Sequence, residues 1–539
     1  MMKYFWGKNK TISIVGIFFF FFCYTSSFIR YPKLLTGDGD LSLHVRIGAE
    51  IAQAGQWPEY DPILKPSSAE IDSFRDNFFM HEWLFEYLSF VIHHYFSWSG
   101  LLILGSLLIS TLMLWVVQIT LKQHYDWWVS ILLLFYLYLG LQPFCILRPH
   151  IVTWLFLFLW YIIWIKWLND QFRTVWTITC SSAVMILWIN FHGGFIYGLI
   201  FLLFMLGSLL IQMAMEQDIE KRSRLGDKIK TLSLALLIII AASCINPNHI
   251  SVYKHFFLFT QKKFLFENHL ATQPLNINDN FGKIYMLYIL LGLILLQFHN
   301  SDKKIFSYTI FLGMCLLPLK SIRHAPNFLI VTILPIMQST NNMLNFLLVK
   351  FNDKSLVGKY VQIIKKSSKK MRWLSTPRFS TPSFLSMVAV LVIISWIFSP
   401  VSDRLPSQLV PLKALSIMKE EPVFHTTKGF NDFTFGGYMA IETPECTPFI
   451  HSLTTNFPVK RTRIFCVIID CRFGWKELFL KENFVWVLIG PKSILNKGLS
   501  ELDAYRIIHE DSLSVLYLHK DYLHLLEDPK FDSVKKLKR

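Results

Sequence analysis

The residues of this chain that could do chemistry are gathered in short polar stretches between long apolar ones. The first and longest covers residues 36–94, opening TGDGDLSLH and closing FFMHEWLFEYLSFVIHH. Within it, Asp38 and Asp40 are candidates for a general base or for oxygen ligands of a divalent cation. His44 follows Asp40 by four residues. On a helix the two share a face, which suits an oriented base or a metal pair. Turn formation and helix capping account for the same aspartates just as simply. His81 and Glu82 open an amphipathic helix, and an ordinary helix start explains them as well as a supporting role does. The Asp61-Pro62 step reads as a turn.

Later polar stretches carry Arg148-Pro149-His150, His192-Gly193-Gly194, Asn246 in INPN, and Arg323-His324. Arginine matches phosphate oxygens in a forked geometry. The plainer readings are snorkelling for Arg148, a packing hinge for HGG and membrane-flank anchoring for Arg323 and His324.

Long apolar elements must position these residues. Of the 539 residues, 53% are hydrophobic and 16% aromatic, well above a soluble globular composition. Several nearly uncharged windows are long enough to cross a hydrocarbon core of roughly 30 Å. The chain therefore reads as a mainly α, polytopic helical membrane protein. The formal charge of +16 does not point to nucleic acid, because the basic excess lies in short loops where it sets topology. Lys3, Lys8 and Lys10 place the N-terminus in the cytoplasm and residues 36–94 outside. Counting charges through Lys221–Lys230 and the run KKSSKKMR gives about eleven spans and an external C-terminus. The expected spans are 11–28, 100–121, 127–144, 151–168, 175–189, 195–215, 231–245, 285–298, 305–319, an extended 328–337 and 385–398. Residues 81–95 would break the alternation, so they read as an interfacial helix.

The expected domains are a transmembrane part, 1–399, and an external α/β part, 400–539. The transmembrane part carries a first external loop, 30–98, and a basic cytoplasmic loop, 341–383. In the external part PVFHTT, GGYMAIE, PFIHS, FVWVLIG and YRIIHEDSLSVLYLH read as strands, with helices near 475–481 and 491–499. Cys446, Cys466 and Cys471 leave room for one disulfide and an odd thiol. Threaded this way, the external face receives Asp38, Asp40, His44, His81, Glu82, Arg148, His150, His192, Asn246, Arg323 and His324. Such a gathering fits a reaction on an anionic, lipid-linked substrate.

The ordered set GDGDLSLH, IGAEIAQAGQWPEYDP, HEWLFEYL, RPH, WINFHGG, INPN and RHAPNF, followed by FNDFTFGGYMAIE and HEDSLSVLYLH, resembles bacterial multi-pass membrane glycosyltransferases of the GT-C type. The resemblance implies a polyprenyl-phosphate-linked sugar donor and an envelope glycan, lipid or protein acceptor. It implies an acidic base in the first external loop, with Asp40 the best match and Asp38 second. Arg148, His192 and Arg323 fall on the phosphate side, joined by His44, His81, Glu82, His150 and His324 as substrate-binding candidates. The one cofactor such a site invites is a divalent metal ion, at Asp38 and Asp40. It further implies the inner membrane of a bacterium, with the C-terminal part periplasmic. Ser42 and Leu43 stand where the family carries paired aromatics. The alternative is a non-catalytic membrane scaffold with the same architecture.

Overall fold

The computed structural model describes residues 34–35, 39–123, 125–261, 273–351, 355–371, 393, 405, 409–454, 456–528 and 531. The expected span 11–28, nearly all of 385–398, and Asp38 lie outside the described residues. The protein is mainly helical with a small sheet near the C-terminus. It divides into two compact units. One comprises Met1–Ser27, Ile103–His249 and His269–Phe398, the other Phe28–Leu102, Ile250–Asn268 and Ser399–Arg539.

Among the described residues, six helical stretches are long and apolar enough to cross a membrane: Trp83–Thr120, Trp127–Phe144, Pro149–Leu168, Thr174–Phe191, Gly193–Met215 and Asn280–Phe298. The last five match expected spans closely. Residues 231–243 of the expected 231–245, and all of 305–319 and 328–337, lie within the helices Ile219–Ser243, Ser301–Lys320 and Ala325–Lys350, which also carry polar residues. The helix expected to lie in the interface and the span expected after it form one assigned helix, Trp83–Lys122, bent at Ser97, whose φ is 56° and ψ −163°. One non-helical residue turns the chain where a loop around residue 100 was expected. The first arm buries Phe85, Glu86 and Ser89 and exposes Tyr87, Tyr95 and Phe96.

The helical unit is packed largely by aromatic side chains. Trp154, Trp160, Trp164 and Trp188 are all fully buried. Trp160 Nε1 donates to Gly198 O at 3.1 Å and Trp188 Nε1 to Thr153 Oγ1 at 2.8 Å. Burying an indole costs little once its N–H is satisfied.

The second unit holds a four-stranded sheet in the order β1-β2-β4-β3: β1 Gly429–Asn431, β2 Trp486–Ile489, β3 Tyr505–Glu510, β4 Val515–His519. β1 and β2 are parallel, and the other pairs antiparallel. β2 is buried along its whole length, hence its unbroken apolar sequence. Leu64 and Phe74 of the first polar segment join Phe430, Phe449, Phe465, Phe479 and Phe484 in one core. That segment, expected with the transmembrane part, thus shares a hydrophobic core with residues 409–531.

Three expected strands are corrected. PVFHTT contains the short helix Val423–Thr426 and GGYMAIE lies in the helix Phe435–Glu442. The second is buried from Phe435 through Ala440, and a run buried on all sides carries no period to tell helix from strand. PFIHS is irregular because Asn431, fully buried, takes over its backbone pairing. Asn431 Oδ1 accepts from Phe449 N at 2.7 Å and its Nδ2 donates to Ile450 O at 2.8 Å. Cys446, Cys466 and Cys471 are all free thiols, so the disulfide for which they left room is not formed.

Candidate functional site

Asp40 opens the helix Asp40–Ala54. The N-cap is Gly39, with φ 79° and no side-chain cap, so Asp40 is not the capping residue. It lies in the first turn, where the helix dipole favours a carboxylate. Asp40 is 5% exposed, and its Oδ1 accepts a hydrogen bond from Ser452 Oγ.

One turn along, His44 is 1% exposed and faces two glutamates. Its Nδ1 lies 3.4 Å from Glu86 Oε1 and its Nε2 3.9 Å from Glu82 Oε2. His81 Nε2 lies 3.4 Å from Glu82 Oε1. Gly48, a further turn on, lets the two helices meet: a Cβ there would stand 2.1 Å from Glu86 O. Burial works against a charged His44, but the Glu86 hydrogen bond and the charges of Glu82, Glu86 and Asp40 outweigh it and raise its pKa. Burial likewise opposes charge on His81, while Glu82, the Phe79 carbonyl and Glu86 lift it to about 9. In the absence of a bound cation, the surrounding carboxylates thus favour the protonated form of both rings.

Asp61 is a turn residue, as expected: Oδ1 accepts from Ile63 N at 2.9 Å and Leu64 N at 3.1 Å. Its other oxygen meets His451 Nε2 at 2.8 Å, with both side chains fully buried. His451 Nδ1 accepts from Leu453 N at 3.2 Å, so the ring proton is on Nε2 and points at Asp61. The adjacent residues His451 and Ser452 thus engage Asp61 and Asp40, the two buried aspartates of the first polar segment among the described residues.

The remaining candidates belong to the helical unit. Arg148 is the extended residue before Pro149 at the start of the helix Pro149–Leu168. His150 Nε2 donates to Phe144 O at 2.9 Å, pinning the preceding loop. His192 Nδ1 accepts from Gly194 N at 3.1 Å and lies 2.7 Å from Thr153 Oγ1. A Cβ on Gly194 would stand 2.4 Å from Thr153 Oγ1, so the second glycine of HGG is a packing requirement. His324 Nδ1 pairs with the Tyr197 hydroxyl. Burial, Arg323 and Lys320 push His324 down to about 3 and keep it neutral. Arg323 is then the cationic member of that motif.

Glu86, Ser452, His451 and Thr153 were not among the expected site residues. Glu86 had a signal, its i+4 spacing from Glu82 on one helix face. Ser452 had none, since it is 412 positions from Asp40. Asp38, one of the expected metal pair, lies outside the described residues. Asp40 is engaged by Ser452, and among the described residues the set with metal-ligand spacing is His44, Glu82 and Glu86.

No family model and no curated protein matches the chain. Its fold is similar to solved structures of an archaeal enzyme. One is the oligosaccharyltransferase AglB from Archaeoglobus fulgidus in complex with an inhibitory peptide and a dolichol-phosphate. The TM-score is 0.53 at 11% identity, covering 91% of this chain and 70% of that one. Another is the Archaeoglobus fulgidus oligosaccharyltransferase tethered through a disulfide to an acceptor peptide containing the NVT sequon. There the TM-score is 0.51 at 12% identity, covering 90% and 69%. What this chain shares with these enzymes is a fold, helical and AglB-like.

Proposed function

We propose that this protein is a membrane glycosyltransferase. It moves a sugar from a polyprenyl-phosphate-linked donor to an envelope glycan, lipid or protein acceptor at the external face of a bacterial inner membrane. The observation that carries the reading is the AglB-like fold over 91% of the chain. A buried acid in the first turn of the helix that opens the first polar segment adds to it. In this reading Asp40 takes the proton of the acceptor hydroxyl, with Asp38 as the second acid. Arg148 and Arg323 supply fixed positive charge for the departing phosphate, and His150, His192 and His324 supply ring contacts. His44, His81 and Glu82 set the field around Asp40. No step is routed through a metal ion.

A specific observation favours the scaffold alternative: the Asp40 carboxylate is 5% exposed and already accepts from Ser452. The two readings separate in one experiment. Purified Asp40→Asn protein, incubated with membrane extracts carrying radiolabelled lipid-linked sugars, loses about 100-fold or more of wild-type transfer while its unfolding temperature is retained. Transfer at the wild-type rate removes Asp40 as the base. No transfer by wild type, with growth unaffected by the Asp38/Asp40 double variant but lost on deleting residues 400–539, supports the scaffold.

A further inference from the structure

We propose that the first polar segment binds a divalent transition-metal ion, Zn²⁺ or Mn²⁺, through one ring nitrogen of His44 and the carboxylates of Glu82 and Glu86. One ligand atom from each residue lies within 4.8 Å of the others. The His44, Glu82 and Glu86 side chains are 1%, 12% and 4% exposed. Two ligands about 2.1 Å from a tetrahedral ion stand roughly 3.4 Å apart, so ligand atoms within 4.8 Å of one another close on an ion with side-chain shifts on the order of 1 Å.

Two further observations point to a missing cation. Glu86 Oε2 is buried without a hydrogen-bond partner, although Oε1 faces His44. A buried carboxylate oxygen left this way is costly, and a metal ion satisfies it directly. The scaffold is also fixed in advance, since Gly48 brings the helix Asp40–Ala54 against the backbone of Glu86 itself.

The chemistry of the donors selects the ion. Two carboxylates and one neutral imidazole balance a divalent charge without any proton. An imidazole donor disfavours Mg²⁺ and Ca²⁺, which prefer oxygen alone, and suits Zn²⁺ or Mn²⁺. Three protein ligands leave a fourth position for water or a substrate oxygen. The site stands whether or not the chain transfers sugar. The competing arrangement, an imidazolium held between two glutamates, is the outcome that would overturn it.

The test uses the full chain, purified in detergent without a histidine tag. Elemental analysis after dialysis, or after incubation with micromolar Zn²⁺ or Mn²⁺, finds about one ion per chain. X-ray absorption on the wild type finds one imidazole nitrogen and carboxylate oxygens around it. In Glu86→Gln and His44→Ala the affinity falls roughly 10–100-fold or more, and chelation lowers the unfolding temperature of the wild type only. Wild-type protein that takes up neither ion, retention unchanged in both variants, or an absorption spectrum with oxygen ligands alone overturns the proposal. Because the spectrum is read on the wild type, a variant that fails to fold leaves the answer intact.

Discussion

His44 and His192 are both partly or wholly buried histidines near helix ends, yet their surroundings differ. His44 lies between the carboxylates of Glu82 and Glu86, with Asp40 adding its charge. His192 lies between a threonine hydroxyl and a backbone N–H. A nitrogen that accepts from a backbone N–H carries no proton, so His192 is a neutral clasp that closes the HGG turn. The same contrast separates His81, lifted to about 9, from His324, pushed down to about 3. His44 and His81 sit among carboxylates, whereas His150 and His192 are tied to backbone groups.

The strongest way to break this comparison is to remove a charged partner. Asp61→Ala leaves the His451 Nε2–H buried without its acceptor and unmakes a turn, so it should cost about 3 kcal/mol in detergent unfolding experiments. A cost below about 1 kcal/mol would mean that the charge-paired region is no more demanding than the loop clasps. Next is Gly48→Ala, whose new methyl would meet Glu86 O at 2.1 Å. Overpacking predicts a loss of up to about 3 kcal/mol. Gly207→Ala, with nothing within 4 Å, should be neutral or slightly stabilising.

A pH experiment sharpens the electrostatic half of the contrast. His324 binds a proton at about 3 when folded, against 6.5 in its ordinary state. Its contribution to stability is therefore complete above pH 6.5 and falls as the pH drops towards 3. Between pH 6.5 and 5 the loss should reach about 1–2 kcal/mol, and His324→Asn should flatten that slope. A His324 ring signal titrating near 6.5 by NMR would contradict the burial argument. The smallest effect is expected from Thr153→Val. It removes the hydroxyl shared by Trp188 and His192 and should cost roughly 1 kcal/mol.

Much of the helical unit was legible because apolar length is a one-dimensional signal, and five expected spans recur almost residue for residue. The polar motifs were legible as positions but not as partnerships. Nothing local marks Ser452 as the partner of Asp40, or His451 as that of Asp61 across 390 positions. The strand assignments failed where burial erased periodicity, as in GGYMAIE. PFIHS failed for another reason, a single asparagine side chain standing in for a neighbouring strand. The bend at Ser97 was missed because serine carries no sequence warning of a positive φ.

The shared core of the second unit has a consequence for biosynthesis. Asp61 is made 390 residues before His451, and Leu64 and Phe74 likewise wait for Phe430 and its neighbours. At about 5–20 residues per second the first polar segment spends roughly 20–80 seconds without the surface that completes it. Chains that terminate before Phe430 would display that unfinished apolar face.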